Sequence, residues 1–277
     1  MTKTPTSRPG SGPATLLETA RLGRMLEGVC VIDAHMHLGE WFQFYTPVRD
    51  AAGAVKIMDR VGIRSGIASA HAAAIAGDLR AGNDLVIAAA QQFPGRLYGY
   101  VVANPNHADD MVAEIERCAK QGLRALKVHT YHGKPYDAPE YAPAFEFADQ
   151  RSWPVLAHSG PLDVFDRLAA TYKGIRWVLA HSASADAATF ADIARKRDNV
   201  FFDTCASASE YDSVESLVRA VGVERVLFGS DAVFLSATQQ IGRILFARLS
   251  DDDKLRILGL NALRVFDLPE PPAPVEK

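Results

Sequence analysis

Short apolar runs rich in β-branched residues alternate with longer stretches of helical spacing along most of this chain. The runs are nearly continuous in apolar residues, which is typical of parallel strands buried on both faces. Their starts are 22 to 36 residues apart, the length of a strand, a helix and two loops. We predict eight strands: Val29–His35, Ser65–Ala70, Tyr98–Ala103, Ala125–His129, Pro154–His158, Arg176–His181, Val200–Thr204 and Val226–Ser230.

The stretches between these runs carry apolar residues at helical spacing. They predict helices over Ala51–Val61, Asn83–Gln92, Ala108–Gln121, Ala142–Gln150, Leu162–Tyr172, Ala185–Lys196 and Val214–Val221. An extra helix is predicted before the first strand, and two follow the last: Thr15–Leu26, Ala237–Leu249 and Asp252–Phe266. Eight strand–helix units predict an α/β protein with a single (β/α)8 TIM barrel over residues 15–268. A doubly wound open sheet is the alternative, but Gly-x-Gly-x-x-Gly is absent after the first strand.

Composition and charge argue against a nucleic-acid-binding or membrane protein. The chain has 277 residues, is 48% hydrophobic and carries a net charge of −3, so charge gives no case for binding nucleic acid or anionic membrane. No apolar run reaches the roughly 20 residues that span a bilayer. The ends, residues 1–14 and 269–277, are rich in Pro and small residues and are predicted as flexible tails without a signal peptide.

Cysteine usage points to a reducing compartment. Cys30, Cys118 and Cys205 are odd in number and far apart, which disfavours both disulfides and a zinc site built from paired cysteines. We therefore predict a cytoplasmic protein. Its predicted partner is a small-molecule substrate, and a homo-oligomer remains open.

The histidines cluster where a barrel enzyme carries its chemistry. A (β/α)8 barrel has its active site at the carboxyl ends of its strands. All eight histidines lie at or just beyond such an end: His35, His37, His71, His107, His129, His132, His158 and His181. His35 and His37 share one face of the first strand and can bind one metal ion together. An isolated His-x-His is as often a pair of hydrogen-bonded core histidines, but the clustering favours a metal site.

Three further residues are candidates for that site. His158 and His181 end nearly identical phrases, Leu-Ala-His-Ser, and an imidazole at the end of an apolar strand needs a partner. Asp231 ends the last strand, which neighbours the first strand in a closed barrel. The alternatives are rim histidines held by hydrogen bonds and a turn aspartate.

Other side chains are candidates for substrate binding. Lys127 and His129 share a face of the fourth strand, where a lysine can bind a carboxylate, carry a carbamate that bridges two metals, or extend into solvent. Tyr131 follows them. Trp41 begins an aromatic run that either walls a pocket for an apolar or aromatic substrate or packs on the barrel rim. The loop residues His71, His107 and His132 are predicted to have no role of their own.

Several phrases together resemble the amidohydrolase superfamily of metal-dependent barrels over about residues 29–266. Those most similar to the branch often called amidohydrolase 2 are Asp33-Ala-His-Met-His-Leu-Gly39, Leu126-Lys-Val-His129, Leu227-Phe-Gly-Ser-Asp231 and Asn261-Ala-Leu-Arg-Val-Phe266. TatD-like deoxyribonucleases are similar in layout, but they usually carry a Glu on strand 4 and Glu-Thr-Asp on strand 8. This chain has Lys127 and Gly229-Ser230-Asp231 at those places.

The resemblance implies a metal site and its ligands. One divalent ion, expected to be Zn²⁺, would be held by the following residues: His35, His37, His158 and Asp231. The strand-6 histidine, here His181, would lie beside the metal and contact water or substrate. In binuclear relatives the strand-4 lysine is carbamylated. The Val128-His129 that follows Lys127 is common in mononuclear relatives, so one metal is favoured.

The resemblance also implies an enzyme, with two candidate reactions. The first is hydrolysis of an amide, lactone, ester or related bond by a zinc-activated water, with Asp231 carrying the proton and His181 polarising the carbonyl. The second is non-oxidative decarboxylation of an aromatic or unsaturated carboxylic acid, with Asp231 or His181 protonating carbon. A non-catalytic binding protein is disfavoured, because a decayed site would lack at least one ligand.

Overall fold

A ring of parallel strands forms the centre of the protein. The computed structural model describes residues 14–24, 26–70, 77–184, 186–207 and 210–271. Its strands are β1 Ile32–Leu38, β2 Ser65–Ala70, β3 Leu97–Gly99, β4 Val101–Val102, β5 Leu126–Val128, β6 Pro154–Ala157, β7 Arg176–Leu179, β8 Val200–Asp203 and β9 Val226–Leu227. The paired strands are parallel, in the orders β1-β2-β3 and β4 to β9.

Backbone hydrogen bonds join the two strand groups into a closed barrel. The third predicted strand is divided at Tyr100, whose N–H donates to the Ala68 carbonyl at 2.9 Å and so links β4 to β2. At the other seam, the Ala34 N–H donates to the Phe228 carbonyl at 2.9 Å, and Met36 pairs in parallel with Ala232. The predicted (β/α)8 barrel is therefore confirmed.

Helices surround the barrel. They are α1 Leu16–Arg21, α2 Ala51–Val61, α3 Leu79–Gln92, α4 Ala108–Lys120, α5 Ala142–Asp149, α6 Leu162–Thr171, α7 Ala191–Lys196, α8 Ser213–Val221, α9 Ala237–Leu245, α10 Asp251–Leu255 and α11 Asn261–Phe266. A π-helical turn, Arg256–Leu260, joins α10 to α11. Within the described ranges, no helix is both long and apolar enough to cross a bilayer.

Strand alternation divides the core in two. Val155, Trp177 and Val226 pack in the larger apolar cluster, which also contains residues of the surrounding helices. Leu156 and Val178, which alternate with them, belong to a second cluster inside the barrel. Its strand residues are joined by Ala262, Val265 and Phe266 of α11, which closes one end of the barrel.

Several boundaries differ from the sequence-based prediction. The first strand begins at Ile32 rather than Val29 and runs through His37 to Leu38, so the His-x-His pair lies inside it. The extra helix is shorter than predicted: Thr15 and Glu18 form a capping box, and the chain turns at Gly23, whose φ is 63°. The π-helical turn within the last predicted helix was also not anticipated.

Some predictions fall on segments outside the described residues. His71 lies in 71–76, and the predicted tails lie largely in 1–13 and 272–277. The predicted helix from residue 185 is described from residue 186, where a 3₁₀ turn, Ala187–Phe190, precedes α7. The tail boundaries remain predictions.

Candidate metal centre

The first and last strand segments bring two imidazoles and a carboxylate together. His37 Nε2 lies 2.8 Å from Asp231 Oδ1, and His35 Nε2 lies 3.6 Å from the same oxygen. All three side chains are buried, and their ligand atoms lie within 4.8 Å of one another. The seam between β1 and the segment after β9 therefore creates the cluster that the closed barrel predicted.

The Nδ1 atoms of His35 and His37 both have hydrogen-bond partners. His35 Nδ1 lies 2.7 Å from Asp203 Oδ2, and His37 Nδ1 lies 3.2 Å from Ser69 Oγ. A carboxylate accepts hydrogen bonds, so Asp203 places the proton of His35 on Nδ1 and leaves Nε2 with its lone pair. This is the arrangement by which proteins orient metal-binding imidazoles.

Sequence reasoning missed Asp203 and Ser69. Asp203 ends β8, and it carried the same pattern that identified Asp231: an acidic residue after an apolar strand. Ser69 lies within β2, paired with His37 in the strand register. A small hydroxyl inside a strand has no sequence pattern that marks it as a partner of histidine.

Asp33, two residues before His35, connects β1 to the turn that follows β9. Its carboxylate accepts hydrogen bonds from the His35 N–H at 3.1 Å and the Ser230 N–H at 3.0 Å, and also from the Ser230 hydroxyl. Asp231 follows with a φ of 59°, a left-handed conformation that is uncommon outside glycine. The Asp33–Ser230 contacts thus hold the turn that carries the candidate ligand Asp231.

A second group of histidines lies beside the cluster. His158 Nδ1 is 3.2 Å from His181 Nε2, and the His158 ring stacks on His129 with centroids 4.0 Å apart. His158 and His181 are partly exposed, whereas His129 is buried. Among the described residues, His158 belongs to neither close group of metal-binding atoms that contains His35. Its role as fourth ligand stays a prediction.

Lys127 lies directly at the centre. Its side chain is fully buried, and its Nζ lies 3.1 Å from His35 Nε2, the nitrogen that faces Asp231. Burial lowers the pKa of Lys127 to about 8, although the nearby carboxylates of Asp231 and Asp203 raise it. The alternative of a lysine extending into solvent is therefore wrong. Its carbamylation stays a hypothesis.

The ionisation states suit a metal site. Burial lowers the pKa of each of the four histidines of the centre, so their imidazoles are neutral near pH 7: His35, His37, His158 and His181. Burial raises the pKa of Asp203 to about 6. Burial also acts to raise the pKa of Asp231, but the hydrogen bond to His37 and the neighbouring histidines hold it well below its ordinary value. Neutral imidazoles and an ionised carboxylate are the forms that bind metals.

The two aromatic candidates follow different strands, β5 and β1. Tyr131 is exposed and stacks on His129 with centroids 4.9 Å apart. Trp41 is buried in the loop after β1, where its ring packs against Phe42 at 4.3 Å and its indole N–H donates to Gln43.

The same loop reaches the metal residues through another pair of rings. Phe44 stacks on Phe234 with centroids 5.2 Å apart, and Phe234 stacks on His37 at 4.8 Å. The ring in contact with His37 is thus Phe234, and the role of the aromatic run as a pocket wall stays a prediction. Sequence reasoning missed Phe234, because it lies in the loop before α9.

The donor set fits a divalent ion. Two imidazole nitrogens and a carboxylate oxygen are ligands that Zn²⁺ and Mn²⁺ both accept. The second nitrogen of each imidazole already has a partner, so neither ring must turn to supply Nε2. An ion would displace the contact of Lys127 Nζ with His35 Nε2 and the contact of Asp231 Oδ1 with His37 Nε2.

Comparison with known proteins shows which family the chain matches. Residues 32–268 match the model of the family described as Amidohydrolase. A search of the curated proteins finds no match.

Solved structures share the fold over most of the chain. They include a 2,6-dihydroxybenzoate decarboxylase from Rhizobium, a dihydroxybenzoic acid decarboxylase from Polaromonas with bound manganese and 2-nitroresorcinol, and a 5-carboxyvanillate decarboxylase from Novosphingobium aromaticivorans with manganese and 4-hydroxy-3-methoxy-5-nitrobenzoic acid. Their TM-scores are 0.68, 0.68 and 0.72, at 16%, 17% and 15% identity. They cover 87%, 86% and 87% of this chain and 99%, 97% and 97% of their own. At these identities the likeness shows the fold.

Proposed function

The chain belongs to the amidohydrolase family, and we propose that it is a metal-dependent, non-oxidative decarboxylase of small aromatic carboxylic acids. The observation that carries this proposal is the fully buried amine of Lys127 beside the His35–His37–Asp231 group. A buried cation next to a metal position suits a substrate carboxylate. Several solved structures of the same fold are decarboxylases of hydroxylated benzoates, which supports this alternative over hydrolysis.

The metal would be held by His35, His37 and Asp231, with His158 as the expected fourth ligand. When bound, a divalent ion supplies a Lewis acid that orients oxygen atoms of the substrate and stabilises negative charge. Zinc is the expected ion. Manganese is the alternative, since two structures of the same fold contain it.

Decarboxylation needs a proton at carbon. The bond from the ring carbon to the carboxylate carbon breaks, its electron pair stays on the ring carbon, and a proton takes the place of the departing CO₂. His181 Nε2 lies 3.2 Å from His158 Nδ1, and both rings are partly exposed. We assign His181 to pass the proton from solvent to the ring carbon, with Asp231 as the other candidate donor.

The same residues orient the substrate. Lys127 is the cationic group that would contact the carboxylate before it leaves. The stacked rings of Tyr131, His129 and His158 offer a flat surface beside the centre, which suits a planar ring. We also assign Trp41, in the loop after β1, to the wall of the proposed substrate pocket.

The test is product analysis with metal-loaded protein. Protein stripped by a chelator and reloaded with Mn²⁺ or Zn²⁺ is incubated with benzoates that carry a hydroxyl beside the carboxylate. We expect CO₂ equal in amount to the phenolic product and, in D₂O, one deuterium at the vacated carbon. His181→Ala should slow turnover, and the exposed His107→Ala serves as the matched control. Full activity of the stripped protein would refute the proposal.

Hydrolysis is the second candidate. The observation that favours it is Asp231 Oδ1, 2.8 Å from His37 Nε2, where a carboxylate could accept a proton from the attacking water and pass it to a leaving group, while a divalent ion held by the same residues would supply the Lewis acid. Amides and lactones tested in H₂¹⁸O distinguish the two reactions. Incorporation of ¹⁸O into a product without release of CO₂ supports hydrolysis and excludes the decarboxylase.

A further inference from the structure

A cysteine thiol lies within the histidine end of the barrel. Cys205 follows β8 by two residues, so it continues the face of Asp203, and its side chain is fully buried.

Asp203 brings the thiol and a histidine together. Its Oδ1 accepts hydrogen bonds from the His181 N–H at 2.9 Å and the Cys205 N–H at 3.0 Å. Its Oδ2 contacts His35 Nδ1. One carboxylate therefore fixes three segments at the ends of β1, β7 and β8.

The result is a second group of potential metal ligands. One ligand atom each from His35, His181 and Cys205 lies within 4.8 Å of the other two. Donors around a tetrahedral zinc are about 3.3–3.8 Å apart for bond lengths near 2.0–2.3 Å, so shifts of about 1 Å complete the site. The group differs from His35–His37–Asp231 in chemistry, because it offers sulfur instead of a carboxylate.

We propose that His35, His181 and Cys205 form a second metal position, selective for thiophilic divalent ions such as Cd²⁺ and Co²⁺. Thiolate sulfur favours these ions, whereas carboxylate oxygen favours Mn²⁺ and Mg²⁺. Binding replaces the thiol proton by the metal: the S–H bond breaks, the metal–sulfur bond forms, and the proton passes to solvent.

The two positions compete. Asp203 occupies Nδ1 of His35, so an ion can bind only Nε2, in place of Lys127, and one lone pair binds one ion. This competition rests on the proposed function, because it places the catalytic ion on His35 as well. An ion at the sulfur position would then withdraw both His35 and His181 from catalysis.

The test is optical and needs no substrate. Metal-free protein is titrated with Co²⁺, and the thiolate-to-cobalt charge-transfer absorption in the near ultraviolet is recorded. We expect this band in the wild type, its loss in Cys205→Ser, and its retention in Cys118→Ser. Cys118 is a matched control, since it is also buried but lies on α4, where its thiol contacts Glu114.

Two outcomes overturn the proposal. One is the absence of a charge-transfer band when Co²⁺ binds the wild type, which does not depend on how any variant folds. The other is a band that persists in Cys205→Ser with an unchanged circular dichroism spectrum. Neither outcome bears on decarboxylation, so this failure is distinguishable from failure of the proposed function.

An inhibition assay extends the test to catalysis. Cd²⁺ added to the Mn²⁺-loaded enzyme should inhibit the wild type at least tenfold more strongly than Cys205→Ser. Equal inhibition of both proteins would contradict the competition between the two positions.

Discussion

The two ends of the barrel interior both bury side chains but are opposite in chemistry. At the end closed by α11, the interior holds Val265 and Phe266 of that helix, and the Phe266 ring meets Tyr100 edge-on at 5.9 Å. At the other end, fully buried His35 and Lys127 take the place of the apolar side chains.

The two ends differ in what compensates for removing their side chains from water. Apolar side chains gain free energy simply by leaving water, at about 25 cal/mol per Å². Buried polar groups need a partner for each donor and acceptor, and Asp203 supplies three such contacts. The apolar end should therefore determine stability, and the polar end should determine metal binding and chemistry.

The largest expected effect is on catalysis at the polar end. Asp231→Asn removes the charge that faces His35 and His37, and kcat should fall by at least about 10³-fold. Steady-state rates on metal-loaded protein check this, with the exposed Asp252→Asn as control. Wild-type turnover by the Asp231 variant would mean that this end is not the active centre.

A substitution at the apolar end should lower the stability of the fold and leave metal binding unchanged. Phe266→Ala leaves a cavity under the barrel, and the free energy of unfolding should fall by about 3–5 kcal/mol. Urea denaturation measures this loss, and Phe246→Ala, at a residue 56% exposed, is the control. Metal affinity of the folded Phe266 variant should remain within about twofold of wild type. A loss of metal affinity as large as that of a metal-ligand variant such as Asp231→Asn would contradict the division of roles between the two ends.

A smaller effect is expected from the residue that orients His35. Asp203→Asn can no longer fix the His35 proton as a carboxylate does, and metal affinity should fall about 10- to 100-fold. Equilibrium dialysis with Mn²⁺ measures it, and Asp198→Asn, on the surface beside Arg225, is the control. Unchanged affinity would show that Asp203 has no part in positioning His35.

The smallest effect is on pH dependence of the metal-free protein. Burial lowers the pKa of the four histidines of the centre, so the unfolded chain binds more protons than the folded one below about pH 6.5. Stability should therefore fall as the pH drops through 6.5. Burial raises the pKa of Asp33 to about 7 and of Asp203 to about 6, which opposes this trend, but these are two groups against four.

Denaturation of metal-free protein between pH 7 and 5 checks this sign. Phe266→Ala should lower the whole curve without changing its slope, because no titrating group is altered at the apolar end. A stability that rises on acidification would contradict the neutral, buried state of the histidines.

The apolar end was largely predictable from the sequence, and the polar end only in part. Strands and helices follow from local periodicity, so the eight units and the barrel could be inferred. His35, His37 and Asp231 could be inferred as neighbours because barrel closure fixes which strands meet. The bounds of β1 could not, since the apolar residues Val29 and Val31 precede the strand, which instead runs through His37 to Leu38.

The partners of the histidines required the structure. Asp203, Ser69 and Phe234 become relevant only through the strand or loop that each one meets across the barrel. No local pattern distinguishes a serine that contacts an imidazole from one that faces a neighbouring strand. The same holds for Cys205, which becomes a candidate metal ligand only because His35 and His181 lie beside it.

The most direct test of the central claim is the location of the metal. Crystals of metal-free protein reloaded with one equivalent of Mn²⁺ should give an anomalous difference peak within about 2.0–2.3 Å of His35 Nε2, His37 Nε2 and an Asp231 carboxylate oxygen. A fully occupied peak that contacts none of these three atoms would contradict the account.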